Sequence, residues 1–483
     1  MSLQKGIIRF FLLTGFLLVF TTVSASAADF SFHGDMNHRF LVGTNHNEWI
    51  ASGGNTIHEG PEILDDEDVY DNFGEIKYRF WFEAASDNGD YKGVFATEVG
   101  GLRFGEPDKM DYSGDEVAME VRWGYLDFQL PFVEQDSRVR MGLQPININQ
   151  FLWKETVGGV KLDGGHGAFD YELGWLRGYE ANVTTDDEDD LRDDQDALYA
   201  RMDYTSPQNL NLGLFGLYQW QDVDDAAPGE YNYTLQPWSY EFKSLFGKEG
   251  DIGIGTIGVD GSMKNDRFFV NWDLMYQTGS LDHIDAVDLD GNSRGLQDYD
   301  LSSYFGHFDL GAYLGKSTLK YTFWYASGDD DPTDGDLDAF MATDVDIGHP
   351  AGEGSICLNE GSTVDDNFFT ETPYIMDKGF IMNKLQMDYQ ASEKLKFILA
   401  GMYMLTAEDI EYTASRTGER VGDDELGFEL DAFVIYDLYE NLSIEFNAGY
   451  LAAGDGLDYF EKEQDGESDE DIYISTLGVR YKF

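Results

Sequence analysis

The chain has one cysteine, Cys357, so it forms no internal disulfide and carries no CxxCH haem-attachment motif. Proline is sparse, at 10 residues, which suits long strands because proline removes a ladder donor. Basic residues are also scarce: 32 Lys and Arg stand against 92 Asp and Glu, a formal net charge of −60. That balance excludes nucleic acid as a partner, since a polyphosphate demands a basic footprint. No apolar run reaches the ~20 residues that a spanning helix needs. The sequence holds no GxSxG, P-loop or HExxH motif, and its eight histidines are scattered without ligand spacing. An enzyme is therefore not expected, and neither is a resident cofactor.

What the chain does have is concentrated at its two ends. Lys5 and Arg9 precede an apolar run over 10–23, followed by Ala25, Ser26 and Ala27. A basic start, a short apolar stretch and small residues at the cleavage positions read as a secretory signal peptide, residues 1–27. The mature chain, 28–483, is then an exported single domain. Its last residues, DIYISTLGVRYKF, alternate with period two. Tyr473, Leu477, Val479, Tyr481 and Phe483 share one face of a strand, with Ser475 among them.

The same alternation recurs along the chain. In FGEIKYRFWFEAAS, Ile76, Tyr78, Phe80 and Phe82 alternate with Glu75, Lys77, Arg79, Trp81 and Glu83. An Asn-Gly turn follows at 88–89, a strong hairpin signal. Tight turns are expected near 87–90, 133–137, 163–167, 206–209, 263–266, 315–317, 392–394 and 440–441. Long polar loops are expected near 43–72, 105–116, 144–155, 179–195, 222–250, 279–300, 327–375, 407–424 and 454–470. This rhythm predicts an all-β fold: a transmembrane antiparallel β-barrel of about 18 strands, or about 16 if the short segments near 139–143 and 157–162 are not separate strands. Aromatics make up 15% of the chain, enough for strands and for girdles at two membrane boundaries.

The terminal aromatic strand, the leader and the alternation of short turns with long loops resemble bacterial outer-membrane porins of the general diffusion type. The resemblance implies outer-membrane localisation, passive diffusion of ions and small hydrophilic solutes, and a homotrimer. It also implies that Tyr481 and Phe483 belong to an assembly signal that pairs with the first strand. In such porins the third external loop folds into the lumen opposite a basic wall. The matching loop here is QPININQFLWKET, with Lys154 and Glu155. The inward parity of strands two to eight carries Lys77, Arg79, Arg122, Arg138, Arg140, Lys161 and Arg201, a candidate basic ladder at the pore constriction. The reading beside it is that these cations pair with neighbouring acids and only stabilise the wall.

The acid is clustered in loops, most densely over 186–196. Asp186, Asp187, Asp189 and Asp190 offer hard oxygen ligands for Ca²⁺ or Mg²⁺, and such ions would bridge the loop to lipopolysaccharide. The loop lacks the EF-hand pattern, so diffuse counterions are the competing reading. Acidic mouths would concentrate cations, so a cation-preferring channel is the leading expectation. Two other readings stay open: a structural barrel that anchors the envelope or sheathes an electron-transfer cytochrome, and a dedicated oligosaccharide or polysaccharide export channel.

Overall fold

The computed structural model describes residues 28–44, 70–105, 117, 119–131, 133, 136–179, 195–222, 251–287, 293–331, 334–345, 354–360, 378–413, 417–461 and 471–483. The leader expected at 1–27 and the cation-site candidates Asp186, Asp187, Asp189 and Asp190 lie outside these residues.

Eighteen long strands follow one another in chain order. They are β1 (Ala28–Thr44), β2 (Tyr70–Ser86), β3 (Tyr91–Arg103), β4 (Glu120–Gln129), β5 (Asp136–Pro145) and β6 (Thr156–His166). Next come β7 (Phe169–Tyr179), β8 (Gln195–Ser206), β9 (Leu210–Asp222), β10 (Asp251–Lys264), β11 (Phe268–Val287) and β12 (Ser293–Leu314). The last six are β13 (Ser317–Ala326), β14 (Phe380–Ser392), β15 (Leu395–Thr413), β16 (Arg420–Tyr439), β17 (Leu442–Ala453) and β18 (Ile472–Lys482). Each pairs antiparallel with its neighbour in sequence, and β1 pairs antiparallel with β18, so the sheet closes on itself. Closure leaves no edge strand, as a sheet facing hydrocarbon requires.

The period of two then sorts residues by face. Outward positions carry exposed apolar side chains on nearly every strand, among them Phe32, Phe82, Leu126, Leu173, Leu214, Ile257, Leu385 and Leu430. Inward positions carry the polar and charged residues of β2 to β8. On β4 the alternation slips at one residue: Ala96 faces Trp123 and Thr97 faces Val121, so Arg122 is the extra residue of a bulge.

The seam joins the two ends of the chain. Gly34 and Phe483 exchange backbone hydrogen bonds of 2.9 and 3.0 Å. The Phe483 ring lies over Gly34, where a Cβ would come within 2.4 Å of it. Phe32, Phe80 and Tyr481 surround that ring at centroid distances of 5.7, 6.5 and 5.2 Å. On the inner face Arg480 donates two hydrogen bonds, 2.9 and 2.6 Å, to the Asp35 carboxylate.

The expected tight turns mark connections between consecutive strands, except that 163–166 belongs to β6 and that turn falls at 167–168. Two expected loops do not hold as loops. Most of 279–300 belongs to the long hairpin of β11 and β12, and most of 407–424 to that of β15 and β16. The apolar alternation stops in these stretches, but antiparallel pairing continues beyond the apolar belt with bulges at 281–287 and 405–410. Outside a hydrocarbon layer, strand pairing needs no lipid-facing apolar row.

Deleting Phe483 removes a backbone pair and a ring from the seam. The expected outcome is a severalfold lower yield of membrane-inserted, protease-resistant barrel, with Phe483→Tyr largely restoring it. Undiminished yield from the deletion would contradict a role for the terminal ring in assembly.

Candidate functional site

The loop between β5 and β6, residues 146–155, turns into the barrel. Ile146, Ile148, Phe151, Leu152 and Trp153 are buried, although none of them lies on a barrel strand. A tight turn gives the loop its shape: the amides of Leu152 and Trp153 both donate to the Asn149 carbonyl, and the Phe151 amide donates to the Asn149 side chain.

One side of this loop is docked on the wall of β8 to β13. Asn149 donates to Asp273 at 2.7 Å and to Asp260 at 3.2 Å. Arg201 donates to the Ile148 carbonyl at 2.9 Å and holds Asp260 and Asp203 by paired contacts. Phe151 packs against Phe305, His307 and Trp324, with centroids 4.7 to 5.3 Å away.

Two more segments enter the barrel beside it. Asp344–Val345 runs parallel to Trp153–Lys154, and the Thr343 amide donates to the Leu152 carbonyl at 2.8 Å. Gln277 on β11 grips this segment by both ends of its amide, donating to the Met341 carbonyl and accepting from its amide, each at 2.8 Å. Asp336–Leu337 adds a short parallel ladder to β12. The third segment holds a short helical turn, Ile356–Glu360. Buried Lys384 donates to the Gly354 carbonyl at 3.2 Å, and buried Glu429 accepts from Ser355 and from the Cys357 amide. Together these segments make an apolar core with inward Phe215, Phe305, Trp324, Met382, Met402, Met404 and Phe433.

The other side of the loop faces β2 to β7, where most of the sequence-derived ladder stands. Lys77, Arg79 and Arg122 converge on Glu98, with Lys77 at 3.5 Å and Arg122 at 3.7 Å. Arg122 also reaches Glu155 on the loop at 3.0 Å. Arg138 and Arg140 share Asp127 at 2.6 and 3.0 Å, and Lys161 pairs with Glu172 at 2.7 Å. Arg201 stands apart from these, behind the loop. The ladder exists, but its members are paired, because inward alternation places acids beside them in the same cross-strand rows: Arg79 opposite Glu98, and Arg140 opposite Asp127.

Between this wall and the loop lies a cavity of about 360 Å³. Arg79, Arg122, Lys154 and Lys161 line it against two carboxylates, Glu155 and Glu172. Trp123 lines it too and donates to Thr156 at 3.2 Å, while Trp81 packs on it edge to face at 5.8 Å. The site thus joins an excess of cations to an aromatic floor, in a chain that is strongly acidic elsewhere.

Sequence reasoning missed the docking side: Asn149, Asp260, Asp273 and His307, and the segments over 336–345 and 354–358. One signal was present. Ile252 and Ile254 on β10, and Met402 and Met404 on β15, sit on inward parity, where a wholly wet lumen would hold polar residues.

By sequence, the chain matches no family model and no curated protein. By structure, it superposes on OpdK of Pseudomonas aeruginosa with a TM-score of 0.50 and 9% identity, over 94% of this chain and 98% of that one. A BenF-like porin of Pseudomonas fluorescens gives 0.50 and 10% identity over 94% and 98% of the two chains. OccK2 (OpdF) of Pseudomonas aeruginosa gives 0.50 and 12% over the same shares. The fold is that of an outer-membrane porin. At this level of identity the likeness extends to the fold alone, so the porin fold is established while the contents of its lumen are this chain's own.

Two outcomes follow from the packing. Burial, then the negative charges of Glu429 and Asp431, push the Cys357 thiol well above its ordinary value, so it should resist maleimide in the folded barrel and react on unfolding. Rapid labelling of folded protein would contradict this packing. Glu98→Gln removes a carboxylate shared by three wall cations and should cost about 3 kcal/mol in a urea unfolding titration. An unchanged midpoint would mean that the cluster is solvated and adds nothing.

Proposed function

We propose that the chain forms an outer-membrane channel for passive diffusion of ions and small hydrophilic solutes. The observation that carries this reading is the arrangement of the lumen. Three inward segments pack mainly on β8 to β18, and the wall of β2 to β7, where the buried core reaches Val157 and Leu176 on the last two strands, borders a polar cavity lined by Arg79, Arg122, Lys154 and Lys161. The outer apolar belt supports a membrane location, and the porin fold supports outer-membrane placement after export through the leader at 1–27. A homotrimer belongs to the same proposal.

For small ions the channel is read as cation-preferring. By sequence, the expected external loops carry most of the acid, and a field of that sign at the mouths concentrates cations, more strongly at low salt. Burial, then the charges of Asp336, Asp330 and Asp334, hold the Asp338 carboxyl above the ordinary carboxylate range, a mark of dense negative charge near the inward segment. The cation excess around Arg79, Arg122, Lys154 and Lys161 moderates this preference beside the 146–155 loop and selects among larger charged solutes. The sheath reading is weakened by the inward segments, which occupy space that an enclosed partner would need. The exporter reading asks for a continuous basic lumen, whereas the basic residues here keep to one sector and are largely paired.

Reversal potentials in a salt gradient across a planar bilayer test the proposal. Cation preference is expected, greatest at low salt, and it should increase in the triple variant Arg79→Gln, Arg122→Gln, Lys154→Gln. It should also fall on acidification. A carboxyl held above its ordinary value, as at Asp338, protonates before an isolated Asp (about pH 4) as pH drops, and so loses its negative charge first. Anion preference in the unaltered protein would contradict the proposal.

A further inference from the structure

The docked side of the 146–155 loop rests on ionisable wall residues that do not line the cavity. Residues 146–153 contain no titratable side chain, so the grip between loop and wall depends on the charge state of the wall alone. The wall residues lie in one cross-strand row: Asp260 on β10 stands opposite Asp273 on β11, and Asp273 opposite His307 on β12.

His307 is 2% exposed. Its Nδ1 is 2.9 Å from Asp273 Oδ2, and its Nε2 is 3.6 Å from Asp309 Oδ1 without a closer polar partner among the described residues. Asp273 gives its other oxygen to Asn149 of the loop. The imidazole ring itself is covered by Phe151 of the loop, 4.7 Å between centroids. One carboxylate and one aromatic contact therefore tie this histidine to the constriction.

We propose that His307 is the positioning residue of the constriction loop: as imidazolium it holds Asn149 and Phe151 against the wall, and on losing its proton it lets the loop lift and widens the passage. The charged groups around it set the sign. Asp273 faces it from β11 and Asp309 from its own strand, with Lys320 of β13 3.9 Å from Asp309. Asp260 of β10 adjoins Asp273 across the sheet and is held, with Asp203, by Arg201 of β8. Asp203 is 36% exposed and lies at the wet edge, so three carboxylates, Asp260, Asp273 and Asp309, meet two permanent cations, Arg201 and Lys320, under an apolar lid, and the imidazolium is the third cation.

Neutral imidazole leaves a larger buried imbalance, which costs free energy unless water enters. It also keeps a single N–H for two facing carboxylates. Water entering at Asp273 competes for the contacts that Asn149 and Phe151 make. The docked arrangement binds one more proton than the lifted one, so low pH favours docking and rising pH favours release. Linkage of one proton changes the lifted-to-docked ratio by at most about tenfold per pH unit.

The conductance form of the test rests on the channel reading, so a second readout is paired with it. The full mature protein is reconstituted, and single-channel records are taken between about pH 5.5 and pH 9.5, across the usual histidine range. The open-to-reduced ratio is expected to rise with pH in the unaltered protein and to be flat in His307→Gln. In Asn149→Ala, which cuts the carboxylate tie and leaves only the Phe151 contact, it should be higher at low pH, with a shallower slope. Independently, Leu152→Cys in a Cys357→Ser background is labelled with a water-soluble maleimide, each rate divided by that of the same protein carrying His307→Gln. That quotient should climb with pH. A pH-independent quotient, or a conductance slope that survives His307→Gln, overturns the proposal. A climbing quotient with no current from folded barrel supports the latch and removes the channel reading.

Discussion

Everything in this molecule depends on the pairing of its first strand with its last. A sheet with an apolar outer face has no solvent to satisfy a free edge, so closure is a requirement of the fold. The seam meets it in two ways. Backbone pairs run from Asp35 and Lys482 to Thr44 and Tyr473, and the terminal ring of Phe483 fills the place over Gly34 that a side chain would have occupied. Closure fixes the circumference, and the circumference fixes how much space the loops must fill. A barrel of this size has more interior than its wall side chains can occupy.

The interior is divided accordingly. On the β8 to β18 side, many inward positions are apolar, and three chain segments cover them together with a few buried charged groups such as Lys384 and Glu429. On the β2 to β7 side, the inward positions carry most of the paired charges, and the apolar core reaches this side at Val157 and Leu176. The division is electrostatic as well as steric. The covered side buries Asp260, Asp273, His307 and Asp309 beneath the loop tip, while the open side gathers Arg79, Arg122, Lys154 and Lys161 around a cavity. The loop over 146–155 belongs to both, with Asn149 on one and Glu155 on the other.

Much of this was legible in the sequence. Alternation placed the strands, their number and the shared parity of Lys77, Arg79, Arg138, Arg140, Lys161 and Arg201, because a strand has only two faces, whereas Arg122 is a bulge residue that alternation alone does not sort. The inward loop with Lys154 and Glu155 was anticipated through the family resemblance. Pairing was not legible: that Arg138 and Arg140 share Asp127, or that Arg201 turns its charge toward Asp260 behind the loop, depends on register between strands. The partners of Asn149, more than a hundred residues away in Asp260 and Asp273, have no local signature. The inward apolar residues of β10 and β15 did signal covered wall, but they read as ordinary strand residues until the segments above them were known. The long hairpins beyond the apolar belt were hidden for a related reason, since polar strands lose the alternation that reveals strands at all.

The central claim is that solutes pass along the β2 to β7 wall and not through the covered half. Cysteine accessibility during conduction tests it most directly, in a Cys357→Ser background. A charged methanethiosulfonate reagent applied to a conducting channel should alter the current promptly when the cysteine replaces Asn147 or Lys154 beside the basic wall. It should leave the current unchanged when the cysteine replaces Leu217 or Met402, which face inward but are covered. Equal modification at both sets, or modification only at the covered set, would contradict the account.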